Sequence, residues 1–172
     1  PGAGLGGAGA MAMVGYRSPA SLEHRFGRAT TQALFDNGGG VEPAIRGWLR
    51  HHGRALTQRF DANSYLTLLN AMDSHDLGRQ RGVYESVLRR ITQPVLIGSV
   101  ISDALYVPAE QRTLAFLLPR GELFEIDSEH GHDGFLIDAA RFELRVRRFV
   151  ECLPADGAPA SSPPASQLRY AW

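Results

Sequence analysis

Lysine is absent from the 172 residues, and cysteine occurs once. All 18 basic residues are therefore arginine, and 18 acidic residues balance them, so no global field recruits nucleic acid or an anionic membrane. Whatever the chain binds must be selected locally. The single Cys152 excludes an intramolecular disulfide framework and fits a reducing, cytoplasmic compartment. Set among apolar neighbours in a helix-like segment, it reads as a buried, inert thiol. Apolar runs such as VLIGSVI fall far short of the roughly 20 residues that a membrane span needs. No signal peptide is visible, and the chain opens on Pro1 rather than methionine, which points to a fragment, a processed chain or a mis-assigned start.

What is present is the composition of a globular domain with a real core, 44% hydrophobic and 21% charged. Gly2, Gly4, Gly6, Gly7, Gly9 and Gly15 crowd the start, and each interior glycine costs a helix about 1 kcal/mol relative to alanine. Residues 1–15 are therefore either frayed or held by tertiary contacts. Ser18-Pro19 is an N-cap followed by proline at the first helical position, predicting a helix over 19–28. Residues 36–40, DNGGG, form a loop. The spacing of Ile45, Trp48, Leu49 and Leu56 predicts a long helix over 41–59. Asp61 or Asn63 caps another over 64–72, and 79–90 reads as an amphipathic helix ending before Pro94.

From Pro94 the pattern alternates: a strand over 95–102, a helix over 110–118, a strand over 122–127 and a helix over 135–153. Strand, helix, strand implies a crossover and a parallel pair, hence an α/β fold. The proline- and serine-rich segment after Leu153 cannot bury a core and is expected to be a disordered tail over 154–172.

Several motifs lack the context that their chemistry requires. Gly4-Leu5-Gly6-Gly7-Ala8-Gly9 matches G-x-G-x-x-G, but no strand precedes it as dinucleotide binding demands. His51 and His52 are adjacent on a helix and diverge by about 100°, so they cannot share an ion. His130 and His132 bracket a glycine, but no third ligand has recognisable spacing, and no metal is expected. The sharper signal is at two strand ends, where Asp103 follows the first strand and His132 follows the second. Reactive groups collect at the carboxyl ends of parallel strands, and a carboxylate and a histidine meeting there form half of a nucleophile–histidine–acid triad. Two ordinary polar loops are the alternative at this point.

The stretches RFGR (25–28), RFDANSYL (59–66), AMDSHDLGR (71–79), PVLIGSVISDALYVPAEQ (94–111) and GHDGFLID (131–138) resemble the C-terminal half of the homoserine O-acetyltransferase family. The resemblance covers roughly residues 5–153 and implies a partial α/β-hydrolase fold: a helical cap over 1–92 and, over 93–153, the last parallel strands and helices of the core. It implies acyl transfer from acetyl-CoA, a co-substrate rather than a bound cofactor, to L-homoserine in methionine biosynthesis. On that basis Asp103 is the triad acid, His132 the triad histidine, Asp133 the acid that holds the substrate amino group and Tyr16 a tunnel-lining tyrosine. A homodimer through the helical cap is also implied.

Two departures stand out. No segment reads G-x-S-x-G, the elbow that carries the nucleophile of this fold, so the nucleophile, the oxyanion hole and most of the sheet are expected in residues N-terminal to this chain. The family's A-R-x-x-A-x-x-x-Y-R-S arginine, implied to grip the substrate carboxylate, is Gly9 here, and Arg17 lies on the wrong turn to replace it. Serine acylation, succinyl-CoA as donor, a plain hydrolase and a non-catalytic remnant or interaction subunit are the remaining readings.

Overall fold

Helix α1 (Gly2–Gly15) forms in spite of its glycines because two of them, Gly6 and Gly9, let its backbone close on α3 (Ala44–Arg59). A Cβ on Gly53 would lie 2.5 Å from the Gly6 carbonyl oxygen, and one on Gly9 would lie 2.9 Å from Leu56 Cδ2. At Gly53, where the neighbour is backbone, only glycine permits this approach, and the packing offsets its poor helix propensity. Of the two expectations for the start of the chain, tertiary contact is the one realised. The structure, a computed structural model, describes residues 2–33 and 40–154. The expected tail lies outside the described residues apart from Pro154, and the expected 36–40 loop lies outside them apart from Gly40.

Ser18 caps α2 (Pro19–Arg25), accepting from the Ser21 amide at 3.0 Å, with Pro19 in the first turn as anticipated. The helix ends three residues earlier than expected, and Gly27 beyond it takes φ +44°. A hairpin follows that the sequence reading missed: β1 (Thr30–Ala33) pairs antiparallel with β2 (Gly40–Pro43), Thr30 opposite Pro43. Val41, Glu42 and Pro43 therefore belong to a strand, and α3 starts at Ala44 rather than at residue 41. Glu42 is buried and takes two bonds from Arg50 Nη2, at 2.8 and 2.5 Å, which compensate the carboxylate's desolvation. Asp61 caps α4 (Ala62–Asp73) through the amides of Asn63 and Ser64. These bonds, with the Ser64 hydroxyl foremost, hold its carboxyl below the ordinary range. The helix expected over 79–90 shrinks to α5 (Tyr84–Leu88), because Gln80 and Gly82 adopt φ +59° and +108°, incompatible with a right-handed helix.

The strands β3 (Val95–Val100) and β4 (Gly121–Ile126) are parallel and joined through α6 (Pro108–Leu117). Their register runs from Val95 opposite Gly121 to Val100 opposite Ile126. Leu88, Ile97, Leu117 and Leu118 form the buried core beneath them. On the other face, a Cβ on Gly98 would meet Phe142 at 2.9 Å and Phe124 at 3.0 Å, so glycine lets Phe142 of α8 (Ala139–Glu151) seat against the sheet. The closing helix expected over 135–153 is broken at Asp138 (φ −95°, ψ 33°), which separates α7 (Gly134–Ile137) from α8. Cys152, expected to be buried, is exposed just past the end of α8.

Among the described residues, β3 is paired on one edge only, and Phe116, Leu136 and Val150 are exposed. No described helix is long and apolar enough to cross a membrane.

The glycine packing makes opposite predictions for two sites. Gly53→Ala gains about 1 kcal/mol of helix propensity but drives a methyl group into the Gly6 backbone, an overpacking cost of about 1–3 kcal/mol, so it should lower stability. At Gly7 a Cβ meets nothing within 4 Å, so Gly7→Ala should raise stability by up to about 1 kcal/mol. Denaturant midpoints of the two variants check both signs.

Candidate active site

The chain turns sharply after β3, where the Asp103 amide donates to the Val100 carbonyl at 3.0 Å. Asp103 Oδ1 accepts from the amides of Leu105 (2.8 Å) and Tyr106 (3.0 Å), which orients the carboxylate and leaves Oδ2 for another donor. That donor is His132 Nδ1, at 2.9 Å. Asp103 has a side chain only 7% exposed, so it needs these three partners. An ionised carboxylate only accepts, so the proton of the neutral imidazole is assigned to Nδ1 and the Nε2 lone pair is free to act as a base. No hydrogen bond engages Nε2 among the described residues. The rings of Tyr106, Phe135 and Tyr16 surround the imidazole, with centroids 5.1, 5.5 and 5.7 Å away.

The segment that carries His132 is tied to the end of β3 by one hydroxyl. Ser102 Oγ donates to the Ser128 carbonyl at 2.5 Å and accepts from the Gly131 amide at 2.9 Å. Gly131 takes φ +67°, which turns the chain into a short 3-10 helix over Gly131–Asp133. The only proton of Ser102 is committed to the Ser128 carbonyl, so the hydroxyl is not presented to His132 as a nucleophile. Ser99 differs: its buried Oγ has no partner among the described residues. It lines a cleft of about 590 Å³ together with Asp103, His132, Tyr106, Phe135 and Phe142.

The other two residues singled out from the sequence lie beside this cleft rather than on it. Asp133 Oδ2 lies 2.8 Å from Arg17 Nε, and neither Asp133 nor Tyr16 lines the cleft. The buried Nε–H has no aligned acceptor, so the Arg17–Asp133 contact is an ion pair by proximity rather than a well-directed hydrogen bond. At position 9 a side chain would begin against Leu56, so an arginine there would require the Leu56 side chain to shift. The glycines of the G-x-G-x-x-G match lie within α1, and two of them, Gly6 and Gly9, face α3.

His130 Nδ1 lies 3.0 Å from Ser21 Oγ, while His132 turns to Asp103; no cluster of three potential metal ligands occurs among the described residues. Sequence reasoning missed Tyr106 and the tying role of Ser102, and weighed His52 only as a metal ligand. Burial pushes the His52 imidazole below its ordinary range; His51, Arg25 and Arg17 act in the same direction and Asp133 opposes them. That places His52 within electrostatic reach of the Arg17–Asp133 pair. Its only sequence signal was its place on the helix face shared with Trp48.

A histidine and a carboxylate at the carboxyl ends of adjacent parallel strands, beside a helical layer, define part of an α/β-hydrolase fold. Solved structures agree: an esterase superposes with a TM-score of 0.67 at 19% identity, covering 86% of this chain and 42% of that one. The homoserine O-acetyltransferase from Bacillus anthracis superposes with a TM-score of 0.72 at 21% identity over 92% of this chain and 42% of that one. No family model matches the chain. Curated sequences are more specific: homoserine O-acetyltransferases from Chlorobium luteolum and Trichormus variabilis are 44% and 46% identical over 91% and 89% of this chain. The chain is a homologue of the homoserine O-acetyltransferases, matching their C-terminal part. It spans 42% and 41% of the length of these two relatives.

Ser102→Ala should leave the Ser128 carbonyl and the Gly131 amide unpaired, which costs about 1–3 kcal/mol. The expected result is a lower denaturant midpoint with an unchanged slope, measured by circular dichroism.

Proposed function

We propose that the chain supplies the acid–base half of the catalytic site of a homoserine O-acetyltransferase, which moves an acetyl group from acetyl-CoA to L-homoserine. The observation that carries the reading is the 2.9 Å bond from His132 Nδ1 to Asp103, with Nε2 open, in a chain 44% identical to such an enzyme. In this reading His132 Nε2 takes the proton of a serine hydroxyl as that oxygen attacks the thioester carbonyl. Asp103 stabilises the imidazolium across Nδ1, and the proton then passes to the departing CoA sulfur. In the second half-reaction the same Nε2 takes the proton of the homoserine hydroxyl as it attacks the acyl-serine, and returns it to the serine oxygen. Asp133 holds the acceptor's amino group through the carboxylate oxygen that Arg17 leaves uncommitted, and Tyr16 borders the acceptor's path.

The serine is not on a G-x-S-x-G elbow of these 172 residues, so we assign it to the part of the relatives that the chain does not match. The cap is residues 1–92 and the core segment 93–153, and the exposed Leu66, Leu68 and Met72 of α4 favour a homodimer through the cap. The exposed free thiol of Cys152 suits a cytoplasmic setting. Exposed Phe116, Leu136 and Val150, with β3 paired on one edge among the described residues, favour a second reading, a non-catalytic interaction subunit.

Thiol release from acetyl-CoA separates the two. The purified chain alone should form no acyl-enzyme. Mixed with the separately produced N-terminal part of the Chlorobium luteolum relative, it should show homoserine-dependent release, and His132→Ala should lower that by roughly 10⁶-fold. An assembled complex without turnover would support the interaction subunit, and turnover that survives His132→Ala would refute the assigned base.

A further inference from the structure

The segment that joins α1 to α2 is tied at three points to the loop that carries His132, and α2 itself at two more. The Asp133 amide donates to the Tyr16 carbonyl at 2.9 Å, and Arg17 Nε lies 2.8 Å from Asp133 Oδ2. The Ser18 hydroxyl donates to the Glu129 carbonyl while its oxygen accepts from the Ser21 amide at 3.0 Å. Ser21 Oγ meets His130 Nδ1 at 3.0 Å, and His24 Nδ1 meets Glu129 Oε1 at 2.7 Å. The two backbones are so close that a Cβ on Gly131 would lie 2.6 Å from the Ser18 nitrogen. Ser18 and Ser21 are 4% and 3% exposed, so water cannot readily replace their partners.

We propose that Arg17 and Ser18 are positioning residues for His132. The Nδ1–Asp103 bond fixes the imidazole at one end only, and a ring on a loop whose one φ +67° glycine is its turning point needs a second restraint to keep Nε2 directed. Arg17 supplies that restraint through the side chain of the next residue, Asp133, and Ser18 through the backbone three residues before His132. Because the same Ser18 hydroxyl caps α2, the start of that helix and the histidine loop are set by one group, which uses both its donor and its acceptor capacity. Asp133 thereby faces the cap, which accounts for its absence from the cleft.

The importance of the proposal rests on His132 being the base, but the test reads the 172-residue chain itself and needs no turnover. A negative result here is therefore distinguishable from a failure of the acyltransferase reading. In nuclear magnetic resonance spectra of Arg17→Ala and Ser18→Ala, the low-field Nδ1 proton of neutral His132 should weaken. Exchange of the Asp133 amide should quicken by roughly tenfold or more, while the amides of Ile97 and Leu123 keep their protection. Arg17→Lys should restore part of the Nδ1 signal, since an ammonium keeps the charge without the guanidinium fork. Wild-type signals in both alanine variants would overturn the proposal. So would a loss of protection throughout β3 and β4 in both, which would make the contacts merely structural. If Arg17→Ala alone unfolds the chain, Ser18→Ala and Arg17→Lys decide by the same readings.

Discussion

The parallel register of β3 and β4 is the constraint on which the site depends. Val100 lies opposite Ile126, so the two strands leave the sheet at the same edge, and Asp103 and His132 reach each other across it at 2.9 Å. A slip of one residue would move one strand end by about 3.3 Å, more than a hydrogen bond tolerates. Packing on both faces specifies the register. Ile97 sits with Leu88, Leu117 and Leu118 on one face, and Gly98 admits Phe142 on the other. Gly121 starts β4 where a Cβ would lie 2.8 Å from the Ala115 carbonyl oxygen, which fixes how α6 delivers the chain into the second strand.

Close backbone approach recurs wherever the helical layer meets itself or the sheet. Gly6 and Gly53 bring α1 onto α3, and Gly131 brings the histidine loop onto Ser18. In both places a methyl group would be enough to separate the partners. The helical layer and the strand ends are thus coupled mechanically, through contacts with almost no space to adjust. The exposed apolar residues and the edge of β3 that is unpaired among the described residues form the kind of surface that another polypeptide covers.

Some of this organisation was legible in the residues because its cause is local. Ser18-Pro19 caps a helix by hydrogen-bond chemistry that acts within three residues. The apolar run after Pro94 reads as a buried strand, and the alternation of strand and helix implies a parallel pair with both carboxyl ends on one side. The errors have non-local causes. For residues 41–43 the local signal is slight, Pro43 disfavouring helical backbone at Glu42, and the strand is defined only when Thr30 and Thr31 pair with it across the hairpin. The break at Asp138 and the positive φ values near Gly82 were hidden within stretches whose periodicity is helical. Cys152 was misjudged because apolar neighbours in sequence do not ensure burial in a chain with so much exposed apolar surface.

By itself the sequence determined the α/β class, the absence of a disulfide framework and the two strand ends where an acid and a histidine emerge. Its long motifs carried the resemblance to the homoserine O-acetyltransferases that the relatives bear out. Only the tertiary structure decided that Asp133 turns to Arg17, that position 9 faces Leu56 and that the Ser102 hydroxyl ties the two loops. Those outcomes depend on side chains more than twenty residues apart being brought within 3 Å, and spacing along the chain carries no record of the direction in which each one points.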